Sequence, residues 1–92
     1  MNQDDIFLKR EGDQWFTRNQ TAIVAAHDAN TLDVPMSLLE AYHVAPKRIL
    51  EIGCSNGWRL DLLRKRYGAT CVGVEPSLAA IRDGRKRYPQ VK

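Results

Sequence analysis

Two patterns of apolar and polar positions divide the chain near residue 46. In the first half Phe16, Gln20, Ile23 and His27 share one helical face, with Trp15, Ala22 and Ala26 on the adjacent one. Such a stripe predicts an amphipathic helix, with Asp13 as its cap and the polar run 27–31 as the loop that follows. Pro35 suits the first turn of a short second helix through Tyr42, with Asp33 or Val34 near its cap. Ala45, Pro46 and Lys47 read as a connector. From Lys47 the period changes. Arg48–Ile52 predicts a short apolar strand and residues 53–57 a glycine-bearing turn. Trp58–Tyr67 predicts a helix with Leu60, Leu63 and Tyr67 on one face and Trp58 and Leu62 beside it. Gly68 ends it. Residues 70–75 predict a second strand, and Pro76 disfavours helix at Glu75. Ser77 caps a further helix running to about Tyr88, and Val91 begins a candidate third strand.

Strand, helix, strand, helix at this spacing means parallel βαβ units with right-handed crossovers. A weak repeat agrees: Arg64-Lys65-Arg66-Tyr67 and Arg85-Lys86-Arg87-Tyr88 are identical tetrapeptides, each closing a predicted helix. The expected division is an N-terminal helical segment, 1–46, and two βα units, 47–92. The fold class is α/β, a Rossmann-like βαβα start of a doubly wound parallel sheet preceded by helices.

Composition narrows the picture. With 92 residues, 43% hydrophobic and 27% charged, the chain is of ordinary globular make-up, not collagen-like or a disulfide scaffold. No apolar run is long enough for a membrane helix. The polar, acidic start lacks the marks of a secretory signal. The expectation is a cytoplasmic protein whose Cys54 and Cys71 are free thiols. The net charge of +3 is unevenly spread: residues 1–46 hold three basic and seven acidic side chains, residues 47–92 eleven and four. The basic triplets 64–66 and 85–87 fall in the last turns of helices, where cations complement the helix dipole. That reading is preferred to nucleic-acid binding. His27 and His43 lack metal-ligand spacing and read as surface or helix-end histidines, so no metal is expected. Cys71 and Trp58 read as packing residues, and Cys54 as a small loop residue. Gly84, inside a predicted helix, costs about 1 kcal/mol against alanine and has no evident role.

The chemistry gathers at Glu51-Ile52-Gly53-Cys54-Ser55-Asn56-Gly57, between a strand and a helix. Small residues there let a ligand approach the backbone, and free N–H groups at the helix start attract electron-rich groups. About 20 residues on, a strand ends in Glu75, where such an acid accepts hydrogen bonds from ribose hydroxyls. The residues therefore suggest an adenosine-containing ligand at the carboxyl ends of two adjacent strands. The dinucleotide pattern G-x-G-x-x-G fails, because Ser55 and Trp58 occupy its second and third glycine places. A phosphate-binding loop fails too, since no Gly-Lys-Ser/Thr follows.

The segment resembles the first motif of class I S-adenosylmethionine-dependent methyltransferases: Glu51, Gly53 and Gly57 match, and Ser55 stands at the middle glycine place. Val74-Glu75-Pro76-Ser77 resembles the family's second motif. The resemblance covers about residues 47–92. It implies S-adenosyl-L-methionine as cofactor and a small-molecule methyl acceptor. Backbone around Gly53, Cys54 and Ser55 would border the methionine part, and Glu51 would hold its ammonium group. Gly57 would let the helix start close to the site, Glu75 would bind both ribose hydroxyls, and Pro76 would lie on the adenine face. Residues 11–19 resemble segments that precede the domain in some enzymes of bacterial sugar biosynthesis, which suggests that Trp15, Arg18 and Asn19 cover the pocket.

The family's sheet has seven strands in the order 3-2-1-4-5-7-6, so this resemblance implies an incomplete methyltransferase fold holding strands one, two and the start of three. Catalytic and acceptor-binding residues are not identifiable here. Two helices cannot cover both faces of a parallel sheet, which is normally buried on both. The expectations are that the N-terminal helices cover one face and that the chain alone is inactive, marginally stable or self-associating. The alternative reading is a non-catalytic Rossmann-like module that binds an adenosine ligand or a partner chain.

Overall fold

A computed structural model describes residues 10–92. The first nine positions of the expected N-terminal segment lie outside the described residues. Helix α1 spans Gly12–Asp28 and α2 Val34–Ala41. Strand β1 (Arg48–Ile52), helix α3 (Trp58–Tyr67), strand β2 (Thr70–Val74) and helix α4 (Leu78–Arg87) follow. The strands pair in parallel, Arg48 opposite Thr70 through Ile52 opposite Val74. The fold is the incomplete α/β, Rossmann-like start that the pattern predicts.

Local signals explain most boundaries. The Asp33 carboxylate accepts the Met36 N–H at 3.2 Å and caps α2, with Pro35 in the first turn. Ser77 caps α4 through the Ala80 N–H at 3.1 Å. Gly68 ends α3 in the left-handed region, φ 66°, where glycine carries no Cβ penalty. Asp13 departs from expectation. Helix α1 begins at Gly12, with no side-chain cap bond from Glu11 before it, and Asp13 caps a different helix instead. The helix also runs through Asp28, so the loop starts two residues later than the polar run suggests.

One face of the sheet is covered and the other is bare. Cys71 is buried with Cys54, Leu60 and Ala69, and Ile49 packs against them. Met36 of α2 packs with Leu62 and Leu63 of α3. Phe16 and Ile23 of α1 pack with Ala80 of α4, with Trp58 against them. The N-terminal helices therefore join the layer formed by α3 and α4. They do not cover the second face, where Leu50, Ile52, Val72 and Val74 stand exposed, Ile52 at 80%.

The candidate third strand at Val91 is not formed, since among the described residues the sheet has two strands, but Lys92 meets the outer edge of β2. Its N–H donates to the Cys71 carbonyl at 3.0 Å, and its carbonyl accepts the Gly73 N–H at 2.8 Å. Strand β2 thus lies between β1 and Lys92.

Candidate functional site

The carboxyl ends of β1 and β2 meet at a tight turn. Gly53, Ser55 and Gly57 all have positive φ, at 77°, 56° and 85°. Ser55 is strained there, since a side chain in the left-handed region costs about 1–2 kcal/mol. The middle position of the turn is thus one where glycine fits better. Gly57 needs its conformation more than its space: a Cβ there would only touch Val91, at 3.4 Å.

The turn's N–H groups are used within the protein. Gly53 N–H donates to the Val74 carbonyl at 2.7 Å, and Gly57 N–H to the Cys54 carbonyl at 3.0 Å. Trp58 N–H, at the start of α3, donates to Asn56 Oδ1 at 3.1 Å. The N–H groups of Gly53, Gly57 and Trp58 are therefore not free for a ligand.

Glu75 is held at both oxygens. Oε1 accepts the Ser55 N–H and Oε2 the Ser77 N–H, each at 2.8 Å. A carboxylate offers about four lone-pair positions, so acceptor capacity remains for a ligand. Glu75 also lines a cleft of about 410 Å³ with Gly53, Ser55, Pro76, Trp15 and Arg18. Four of the sequence-derived site residues, Gly53, Ser55, Glu75 and Pro76, meet in this cleft. Asn19 does not join Trp15 and Arg18 there, because its amide donates to the Trp15 carbonyl of its own helix at 2.8 Å.

Cys54 and Gly57 line a smaller cavity of about 250 Å³ behind the turn, which Ser55 and Glu75 also border. Burial, with Glu51 and Glu75 nearby, pushes the Cys54 thiol up to about 11. It is a neutral packing group at ordinary pH, as is Cys71, whose thiol burial also raises. Both are free cysteines. Among the described residues no group of three or more His, Cys, Asp or Glu side chains is placed to hold a metal.

Glu51, expected at the site, does not line the cleft; it pairs through Oε2 with Arg59, which also pairs with Asp33. Its Oε1 is buried and has no partner. Burial raises the Glu51 carboxyl above the usual range, against the opposing pull of Arg59. Arg59 and Asn56 are polar neighbours of these residues that the sequence pattern did not single out. Asn56 is buried and ties its amide to Asp83 at 3.0 Å as well as capping α3. An asparagine two places before a helix was the available signal for it. Arg59 had none, since the partner acids are far away in the chain.

The basic helix ends are mostly paired. Arg64 and Lys65 reach Asp61 at 2.9 and 3.1 Å, Arg66 pairs with Glu40, and Arg87 reaches Asp83 at 3.0 Å. His27 is a helix-end histidine, as expected, in the last turn of α1, but it is not at the surface. Its side chain is 12% exposed and its Nε2 lies 2.7 Å from Asp61 Oδ2. No helix among the described residues is long and apolar enough to cross a membrane.

A parallel sheet start, a positive-φ turn and a held acid just after the second strand form the α/β arrangement expected from the sequence. A family model described as a methyltransferase domain matches residues 24–91. The chain belongs to that methyltransferase-domain family, as the segments 51–57 and 74–77 imply. Curated relatives include the trans-aconitate 2-methyltransferases of Acidovorax sp. (strain JS42) and Acidovorax ebreus (strain TPSY). Each is 36% identical over 55 residues, 59% of this chain and 21% of the relative. That of Rhodopseudomonas palustris (strain BisB5) is 38% identical over 50 residues, 53% of this chain and 20% of the relative. The match thus spans about a fifth of the length of these relatives. No solved structure matches.

Proposed function

We propose that this chain forms the cofactor-binding part of a cytoplasmic S-adenosylmethionine-dependent methyltransferase that acts on a small molecule. The observation that carries this reading is Glu75. Fixed by the backbones of Ser55 and Ser77, it faces a cleft that also presents the Gly53 turn and Pro76.

The residues fit the cofactor. Glu51 Oε1 is buried without a partner, and a ligand ammonium that reached it would make a strong, charge-assisted bond. The remaining lone pairs of Glu75 suit a vicinal diol. Pro76 offers a flat apolar surface to a base. Trp15 and Arg18 of α1 close the far wall and restrict water and ligand exit. When bound, the cofactor supplies a methyl group activated by its sulfonium. The chain's own task is then to hold that group in place, since such transfers gain mainly from the alignment of donor and acceptor. The relatives are named for trans-aconitate. An anionic acceptor would agree with Arg18 in the cleft wall. Nothing in this reading gives the basic helix ends a nucleic acid to bind, and their ion pairs support a structural use.

The test is calorimetric titration of the chain with S-adenosylhomocysteine, adenosine and NAD. Saturable binding of the first, weakened by about 1–3 kcal/mol in Glu75→Ala, is the expected result. Unchanged affinity in that variant removes Glu75 from the site. Equal binding of adenosine and S-adenosylhomocysteine favours the non-catalytic adenosine module instead.

A further inference from the structure

Asp13 lies in the first turn of α1, just before Trp15 and Arg18, yet it does not line the cleft. Its Oδ1 accepts the Ser77 hydroxyl at 2.5 Å and the Ala79 N–H at 3.1 Å. Ser77 in turn donates its N–H to Glu75 Oε2, and Glu75 Oε1 takes the Ser55 N–H. One hydrogen-bonded path therefore runs from α1 through the start of α4 to the turn after β1. The Ser77 hydroxyl, and then the Ala79 N–H, hold the Asp13 carboxyl below the usual carboxylate range. It is an ionised acceptor at neutral pH, so both bonds are charge-assisted.

Helix α4 does not need Asp13 for its cap, because Ser77 already accepts the Ala80 N–H. Helix α1 does not need it to dock, because Phe16 and Ile23 are buried. Gln20 bonds Asp83 at 3.0 Å, and His27 bonds Asp61. Phe16 packs the same end of α1 on Ala80, and among the described residues Asp13 adds the hydrogen bonds that tie the Trp15–Arg18 segment to the residues next to Glu75.

We infer that Asp13 is a positioning residue: it fixes the Trp15–Arg18 wall against the Glu75 turn and so sets ligand affinity without touching ligand. The inference rests on the cleft being the cofactor site. Loss of Asp13 removes the polar tie at the start of α1 while Phe16 and Ile23 keep the helix docked.

The test is calorimetric titration of the full chain with S-adenosylhomocysteine. Asp13→Ala is expected to weaken binding about tenfold, the worth of one or two such bonds. Asp13→Asn keeps an acceptor oxygen and should stay within about threefold of the parent. In a Trp15→Ala background, where the wall is already incomplete, Asp13→Ala should cost less than about threefold. Parental affinity in Asp13→Ala overturns the inference. So does an equal loss in Asp13→Asn, or an undiminished loss beside Trp15→Ala. If the parent itself does not bind, the cofactor reading fails, and amide hydrogen exchange decides the role of Asp13. Asp13→Ala must then speed exchange in residues 12–18 and 77–80 while α3 keeps its parental rates. Unchanged exchange overturns the inference in that case too.

Discussion

Gly84 of α4 stands directly against the backbone carbonyl of Asn56. A Cβ at position 84 would lie 2.9 Å from the Asn56 carbonyl carbon and overlap its oxygen. The glycine lets α4 close on the turn, and that closeness also brings the Asn56 amide within reach of Asp83.

Gly84→Ala is therefore expected to destabilise the protein, although alanine is the better helix former by about 1 kcal/mol. The obstructing atoms are backbone and cannot rotate away, so the cost falls at the upper end of the ~1–3 kcal/mol typical of overpacking. Urea unfolding at neutral pH measures the net loss. A gain in stability would show that α4 can shift without penalty.

Ser55→Gly should do the reverse. Serine holds φ 56° at a position that glycine adopts freely, and its buried hydroxyl has no partner. Relief of about 1–2 kcal/mol of backbone strain outweighs the ~0.5–1 kcal/mol of extra chain entropy that glycine loses on folding. The expected outcome is a stability gain of up to about 1 kcal/mol, read from the same unfolding curves.

Asp61 should govern part of the acid sensitivity. Burial opposes its ionisation, but hydrogen bonds from His27, Arg64 and Lys65 win, and its carboxyl lies below the ordinary 3.8. A lowered value in the folded state means that its contribution is complete above the ordinary value. It is lost as pH falls toward the folded one. Asp61→Asn should cost about 1–3 kcal/mol at pH 7, and its curve should converge on that of the parent below about pH 4. Thermal melts from pH 7 to 2.5 follow both. A constant gap across that range would remove Asp61 from the acid response.

Glu51 has the opposite sign. Burial raises its carboxyl above the ordinary 4.5, so its ionised form subtracts stability at neutral pH, and the penalty eases as pH falls through the raised value. Glu51→Gln should hold stability within about 1 kcal/mol, because Arg59 keeps Asp33, while losing the charge offered to a ligand ammonium. The expected fall in S-adenosylhomocysteine affinity is about 10- to 100-fold. Calorimetry beside unfolding separates the two effects.

The parallel unit was legible because its signals are local. Periodicity marked Arg48–Ile52 and Trp58–Tyr67, Gly68 marked a helix stop, and Ser77 marked a cap. The gathering of Gly53, Ser55, Glu75 and Pro76 followed from strand ends alone. What escaped was set by partners distant in the chain. Asp13 carries a cap's chemistry but spends it on α4, 66 residues away. His27 reads as isolated until α1 folds onto Asp61. Gly84 has no visible reason until the turn arrives beside it. The covering of one sheet face only was foreseeable from two crossover helices, but not that α1 and α2 would choose the helical side.

The two backbone bonds to Glu75 have a thermodynamic consequence. A free glutamate side chain must be ordered when a ligand arrives, at a cost of about 0.5–1.5 kcal/mol in rotamer freedom. Here that ordering accompanies folding, because the Ser55 and Ser77 N–H groups fix both oxygens beforehand. A diol meeting this carboxylate finds it already set, so the entropic charge falls on the stability of the turn and not on the affinity of the site.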